Sequence, residues 1–238
     1  EYVFDKKEQE LSSPFISLSH PIFTKLERKW ISSSYFDKGM DYKNSRFEVV
    51  SFSRLLSEFN TFRHFNAILL KCFDDYQGII SFDDIRRFDL QLAIKIKLAS
   101  GSNRPPWLQP LVLVVPNGKS PPFLERFMTA NISELYFVHL DDYYALLDEL
   151  IVTGGLPEQG LTVFKNNCLF CHSIHGLGGN KGGSLLKKYN FKLDKEKHRF
   201  KDTFLIIHEK YVENKQDIKQ FLMPNELEAL LAFLSSIG

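Results

Sequence analysis

Two of the chain's three cysteines stand three residues apart in "NNCLFCHSIHGLGGNKGG" (166–183), and a histidine follows the second directly. On one turn of helix, positions i, i+3 and i+4 share a face. Cys168, Cys171 and His172 would therefore present two thiols and an imidazole to one plane. That set suits covalent attachment of haem: each thiol adds across a vinyl group, and His172 becomes an axial ligand of the iron. With this chain's own Cys and His frequencies the pattern arises by chance in about one such sequence in a thousand. A zinc site would need two further ligands, His175 with His198 or His208, and no spacing favours that set. A redox dithiol follows a strand and opens a helix, whereas the residues before Cys168 read as helix.

The second axial position of such an iron calls for another ligand. Of the three methionines, at 40, 128 and 223, only Met223 shares the C-terminal part with the motif. A thioether is a soft ligand that favours reduced iron and raises its potential, and Met223 precedes Pro224 and a clean amphipathic pattern. The competing reading is a core filler at a helix entrance. His175 and His208 are the other candidates, or the position is open. In the loop "GLGGNKGGSLL" (176–186), Gly178, Gly179, Gly182 and Gly183 let backbone approach a macrocycle closely. The loop lacks the Lys-Ser/Thr ending of a phosphate cradle.

The elements that must hold these residues are helical. Short helices are expected over 158–167, 202–213 and 225–237, the last with Leu227, Leu230, Leu231 and Leu234 on one face. Upstream, "RFEVVSF" (46–52), "AILLKCF" (67–73), "LQLAIKIKL" (90–98), "LVLVV" (111–115) and "SELYFVHL" (133–140) read as strands. Between them "SRLLSEF" (53–59) and "SFDDIRRF" (81–88) read as serine-capped helices. The segment "DDYYALLDELIVTGGLPEQG" reads as a linker with a helix over Tyr144–Ile151 that stops at Gly154–Gly155. Two domains are expected: an α+β domain over 1–151 and an all-α domain over 152–238.

At 238 residues, 44% hydrophobic and 25% charged, the chain has the profile of a globular protein. Its 22 Phe imply a core built largely from rings. A net charge of +1 points to no nucleic-acid partner. No apolar run reaches the roughly 20 residues of a membrane span, and no signal peptide is visible. The chain opens on Glu1 instead of Met, so we expect a removed N-terminal piece, through which a membrane anchor is possible. From residue 151 onward, 12 Lys and Arg face 9 Asp and Glu, whereas the first 150 residues hold 18 and 20. Lys165, Lys181, Lys187 and Lys188 border the motif, as an ordinary solvated face or as a surface steering an acidic redox partner.

From Gly160 to the C-terminus the chain resembles a mono-haem class I cytochrome c domain. The resemblance rests on "GLTVFKNN" before "CLFCH", the Gly-rich loop, and "FLMPNELEALLAFLSSI" at the end. It implies one haem c bound through Cys168 and Cys171, with His172 and Met223 as axial ligands of the iron. It also implies a crossing of first and last helices at Gly160, Phe164 and Phe233. Family members often orient the proximal histidine with a proline carbonyl, but this chain has Gly183–Ser184 there, which leaves the acceptor open. The N-terminal part faintly resembles a degenerate molybdopterin-binding fold of the sulfite-oxidase type. In that family a cysteine binds molybdenum and arginines hold the pterin phosphate. Cys72 is the only spare thiol and reads as core; Arg63, Arg86, Arg87 and Arg104 carry no motif, and His20 and His64 read as loop or core residues.

The function implied is electron transfer in the periplasm, or at a membrane facing it, because bacteria attach haem covalently outside the cytoplasm. Two alternatives belong to other classes: a haem-linked molybdenum oxidoreductase, and a haem sensor or peroxidase-like protein with a displaceable sixth ligand.

Overall fold

Alternation along the strands, set by which faces find a core, organises the N-terminal unit. The structure is a computed structural model that describes residues 2–3, 15–16, 21–58, 65–99, 104–151, 154–208 and 222–238. Contacts divide it into two units, Glu1–Asp141 and Asp142–Gly238.

In the first unit β1 (Tyr2–Val3) pairs antiparallel with β2 (Phe15–Ile16). There follow α1 (Ile22–Lys25), β3 (Arg28–Ser32), α2 (Ser34–Met40), β4 (Arg46–Ser51) and α3 (Phe52–Ser57). Next come β5 (Ala67–Cys72), β6 (Gln77–Ser81), α4 (Phe82–Arg87), β7 (Gln91–Lys97), β8 (Val112–Val114) and β9 (Ile132–Val138). Two antiparallel sheets result, one in the order β3-β4-β7-β8 and one in the order β6-β5-β9.

The larger sheet is buried on both faces. Leu113 joins Leu92, Val50, Ile68, Ile80 and Phe137 in a core shared by the two sheets. Val112 and Val114 turn the other way, onto Phe36, Phe47, Val49 and Ala93. A strand covered on both sides has no polar positions to alternate with, which is why 111–115 reads as an unbroken apolar run. Serine caps open three of the helices: Ser33, Ser51 and Ser81 accept from the backbone N–H of Phe36, Arg54 and Asp84.

The second unit comprises α5 (Leu140–Asp148, shared across the division), α6 (Leu156–Asn167), β10 (His172–Ile174), β11 (Leu177–Gly178) and β12 (Gly183–Ser184). It continues with α7 (Leu185–Lys188), α8 (Asp194–His208) and α9 (Pro224–Ile237). It is not purely helical, because β11, β10 and β12 form a small sheet. Backbone hydrogen bonding accounts for the difference: a Gly-rich loop folding back on a short segment satisfies its N–H and C=O groups by ladder pairing. The segment expected as a linker contributes to this unit's core, since Leu147 is fully buried with Phe164, Phe191, Leu230 and Phe233, and Tyr143, Tyr144, Leu150 and Ile151 pack on them. The helix expected over 202–213 starts earlier, at Asp194; residues 209–213 lie outside the described residues.

Candidate functional site

Helix α6 carries the thiol pair to its place. It begins with Pro157 in its first turn and ends at Cys168, whose N–H still donates to the Phe164 carbonyl at 2.9 Å. Leu169 donates to the same carbonyl at 2.9 Å, so the regular helix stops there. One further turn follows: Cys171 and His172 both donate to the Cys168 carbonyl, at 3.1 and 2.8 Å. The expected one-turn spacing therefore exists on a separate turn after the helix, and His172 itself is the first residue of β10. Neither thiol is joined in a disulfide; Cys168 is buried and Cys171 partly so.

The glycine loop wraps this turn. β10 pairs antiparallel with β11 and parallel with β12, with His172 opposite Gly183. Gly179 donates to the Leu169 carbonyl and Gly182 to the Cys171 carbonyl, both at 2.8 Å. Gly183 then presents its carbonyl oxygen 3.0 Å from Nδ1 of His172. The open question of the acceptor thus has an answer in this chain. With Nδ1–H donating to a carbonyl, Nε2 is the ring nitrogen that carries the lone pair, the tautomer that metal ligation by this nitrogen requires, and the bond fixes the ring's orientation. Gly182 lies against that ring: a Cβ there would fall 2.2 Å from Cε1 and 2.5 Å from Nδ1 of His172. Only glycine permits such an approach.

Behind the site, α6 crosses α9 at Gly160. A Cβ on Gly160 would lie 1.9 Å from the Ala229 carbonyl oxygen, and the Phe164 and Phe233 rings stand 5.7 Å apart at 49°. The three residues expected at a helix crossing do meet.

Residues 157–238 match the Cytochrome c family model. They are a cytochrome c domain. The match covers about a third of the chain, and no curated protein and no solved structure matches it. A cytochrome c domain implies a covalently bound haem c, an electron-transfer role and a redox partner protein. The residues fit that group: two thiols on one turn, an imidazole oriented by a carbonyl, and a glycine where any side chain would displace that imidazole.

Met223 occupies the N-cap of α9. Its N–H donates to Oε2 of Glu226 at 2.7 Å, its carbonyl accepts from Leu227 at 3.0 Å, and the residue is 67% exposed. His208 ends α8 with its ring stacked on Phe204, centroids 4.7 Å apart at 14°. That ring lies 6.3 Å from the His172 ring, centre to centre, at an interplanar angle of 43°. Sequence reasoning offered His208 only as an alternative to Met223. The signal it passed over is the spacing of Phe200, Phe204 and His208 along one helix face. His175 is exposed, and among the described residues no three His, Cys, Asp or Glu side chains gather as a metal site of the zinc kind.

Of the lysines expected near the site, Lys165 is engaged within its own unit: its Nζ pairs with Asp148 and lies 4.3 Å over the Tyr144 ring. Lys181, Lys187 and Lys188 are exposed, Lys188 with its Nζ 5.6 Å over Tyr189.

In the N-terminal unit Cys72 ends β5. Burial, reinforced by the neighbouring Asp74 charge, pushes its thiol pKa far above the ordinary range. Arg86 pairs with Asp83 on the surface, Arg87 lies over Phe88 at 5.3 Å, and Arg104 is exposed. Arg63, His64 and His20 lie outside the described residues. No helix among the described residues is long and apolar enough to cross a membrane.

Proposed function

We propose that this protein is a periplasmic electron carrier with one haem c, joined by thioether bonds to Cys168 and Cys171 and bound axially by His172. The observation that carries the reading is the 3.0 Å contact between His172 Nδ1 and the Gly183 carbonyl, which sets the tautomer and orientation of the imidazole that follows the two cysteines. When bound, the haem supplies a one-electron ferrous–ferric couple. Cys168 and Cys171 would tether it and His172 would ligate its iron, on a turn that directly follows α6. The periplasmic location follows from the chemistry of attachment, which bacteria perform outside the cytoplasm; the protein is free there or tethered at a membrane.

For the second axial position Met223 is the ligand expected from the sequence, and His208 is the one that the ring geometry favours. Exposed Lys181, Lys187 and Lys188 support docking by an acidic redox partner, with a rate that falls as salt rises. Expression with a periplasmic leader, followed by haem staining of a denaturing gel, tests the core of this reading. Haem that stays with the chain, and is lost from a Cys168→Ala/Cys171→Ala variant, is the expected result. A chain without covalent haem overturns it.

A further inference from the structure

We infer that His208 is the second axial ligand, so that the iron is held between two imidazoles instead of between imidazole and thioether. The inference rests on the haem reading above. A metal–imidazole bond is about 2 Å long and the ring centre lies roughly 1 Å behind its nitrogen, so two imidazoles sharing one metal have centres about 6 Å apart. The His172 and His208 rings are 6.3 Å apart, centre to centre. Their interplanar angle of 43° is compatible with such a pair, because a metal shared by two imidazoles does not dictate the angle between their planes about the common axis.

Sequence and packing explain how His208 reaches that place. Phe200, Phe204 and His208 recur every four residues, on one stripe of α8. Phe200 and Phe204 are 5% exposed and pack into the core that also holds Cys168, Leu169 and Phe191. Phe200 meets Tyr189 and Phe191 edge-on, with centroids 5.4 and 5.2 Å away. The stripe that anchors the helix thus delivers His208 on its last turn, and the Phe204 ring stacked on it at 4.7 Å fixes its orientation. Met223 is tied differently. Both its backbone groups serve the start of α9, and its side chain is the more exposed of the two candidates'.

Electronically, a second imidazole lacks the thioether's preference for reduced iron, so the potential lies lower than with methionine.

The test uses full-length holoprotein in which haem staining has first established covalent attachment, so a failure of the haem reading shows itself before this question is asked. Absorption spectra are recorded in both oxidation states, with and without carbon monoxide, and potentials are measured. The parent is expected to be low-spin in both states, without the weak sulfur-to-iron band at the red edge of the ferric spectrum. Met223→Leu is expected to leave spectrum and potential unchanged. His208→Ala is expected to become high-spin and to take up carbon monoxide readily, with added imidazole restoring the low-spin form. His208→Met covers the case in which the alanine variant fails to fold: it should gain the sulfur band and a higher potential. A sulfur band in the parent that Met223→Leu abolishes overturns the inference in favour of Met223. A high-spin parent that binds carbon monoxide overturns it in favour of an open site.

Discussion

Replacing Gly160 by alanine sets two opposing effects against each other, and the structure says which wins. Gly160 sits inside α6, where alanine is favoured over glycine by about 1 kcal/mol. Against that, the new Cβ would stand 1.9 Å from the Ala229 carbonyl oxygen, 2.5 Å from its carbon and 2.7 Å from Cβ of Phe233. Ordinary contact begins near about 3.5 Å, so α6 and α9 must part by roughly 1.5 Å. The obstacle is backbone, which cannot swing aside as a side-chain tip would. Overpacking of a filled core costs about 1–3 kcal/mol, and moving a whole helix belongs at the upper end. Parting the helices also loosens the Phe164–Phe233 pair. The net loss is therefore about 2 kcal/mol, which for a domain of this size lowers the melting temperature by roughly 10 °C. Thermal unfolding of the holoprotein, followed by haem absorbance and far-ultraviolet circular dichroism, measures it, with Thr162→Ala on the exposed side of the same helix as control. A Gly160→Ala protein that melts at or above the parent's temperature would refute the close crossing, since propensity alone would then be deciding the sign.

Gly182→Ala should push the His172 ring by more than about 1 Å and break its bond to Gly183; losing such an orienting partner typically costs about tenfold or more in metal affinity. The readout is a larger high-spin fraction and a shifted potential, and an unchanged spectrum would count against the cradle. Thiol titration of denatured holoprotein should find one reactive group per chain, Cys72, since Cys168 and Cys171 are then thioethers; three would contradict attachment. In the native protein Cys72 should react with iodoacetamide more than about tenfold slower than a free cysteine, because its raised pKa leaves little thiolate at neutral pH. Tyr35→Phe should destabilise the N-terminal unit by about 1–2 kcal/mol, because the hydroxyl donates to the Pro122 carbonyl at 2.6 Å and accepts from the Leu124 N–H at 2.8 Å. Burial pushes the Tyr35 pKa up to about 12, so the parent's stability from this group is present below pH 10 and lost as pH rises through about 12. Alkaline unfolding of Tyr35→Phe should lack that component.

How much of the fold could be read in advance depended on whether one residue pattern or a distant partner decided each element. Strands β5, β7, β8 and β9 and the serine-capped α3 and α4 were legible because periodicity and caps are local. β3 was not, since "RKWIS" is an edge strand whose first three residues are exposed, and Trp30 lies at 5.9 Å beneath the Arg46 guanidinium instead of in a core. β6 was not legible either, although Ile79 and Ile80 are buried; its strand character comes from pairing with β5. The first half of α8 is so polar that only Phe200 marks a buried face, and the helix was expected eight residues late.

The two axial positions differ in the same way. His172 was legible because two thiols three apart and an adjoining imidazole are a local pattern with few other uses. Its Gly183 partner was not, because eleven residues separate the two and only the parallel pairing of β10 with β12 brings them together. For the opposite side, a methionine before a proline and a helix invites the reading of ligand, yet the residues after it argue otherwise. Glu226 stands three places beyond Met223, which is the spacing by which a helix caps its own start, and the Glu226 carboxylate does accept the Met223 N–H. A residue at that position is placed by the helix it begins. A residue on a stripe anchored by two buried phenylalanines is placed by the core, and that core includes Cys168. His208 satisfies the second condition and Met223 the first, so the ligand should follow the buried stripe.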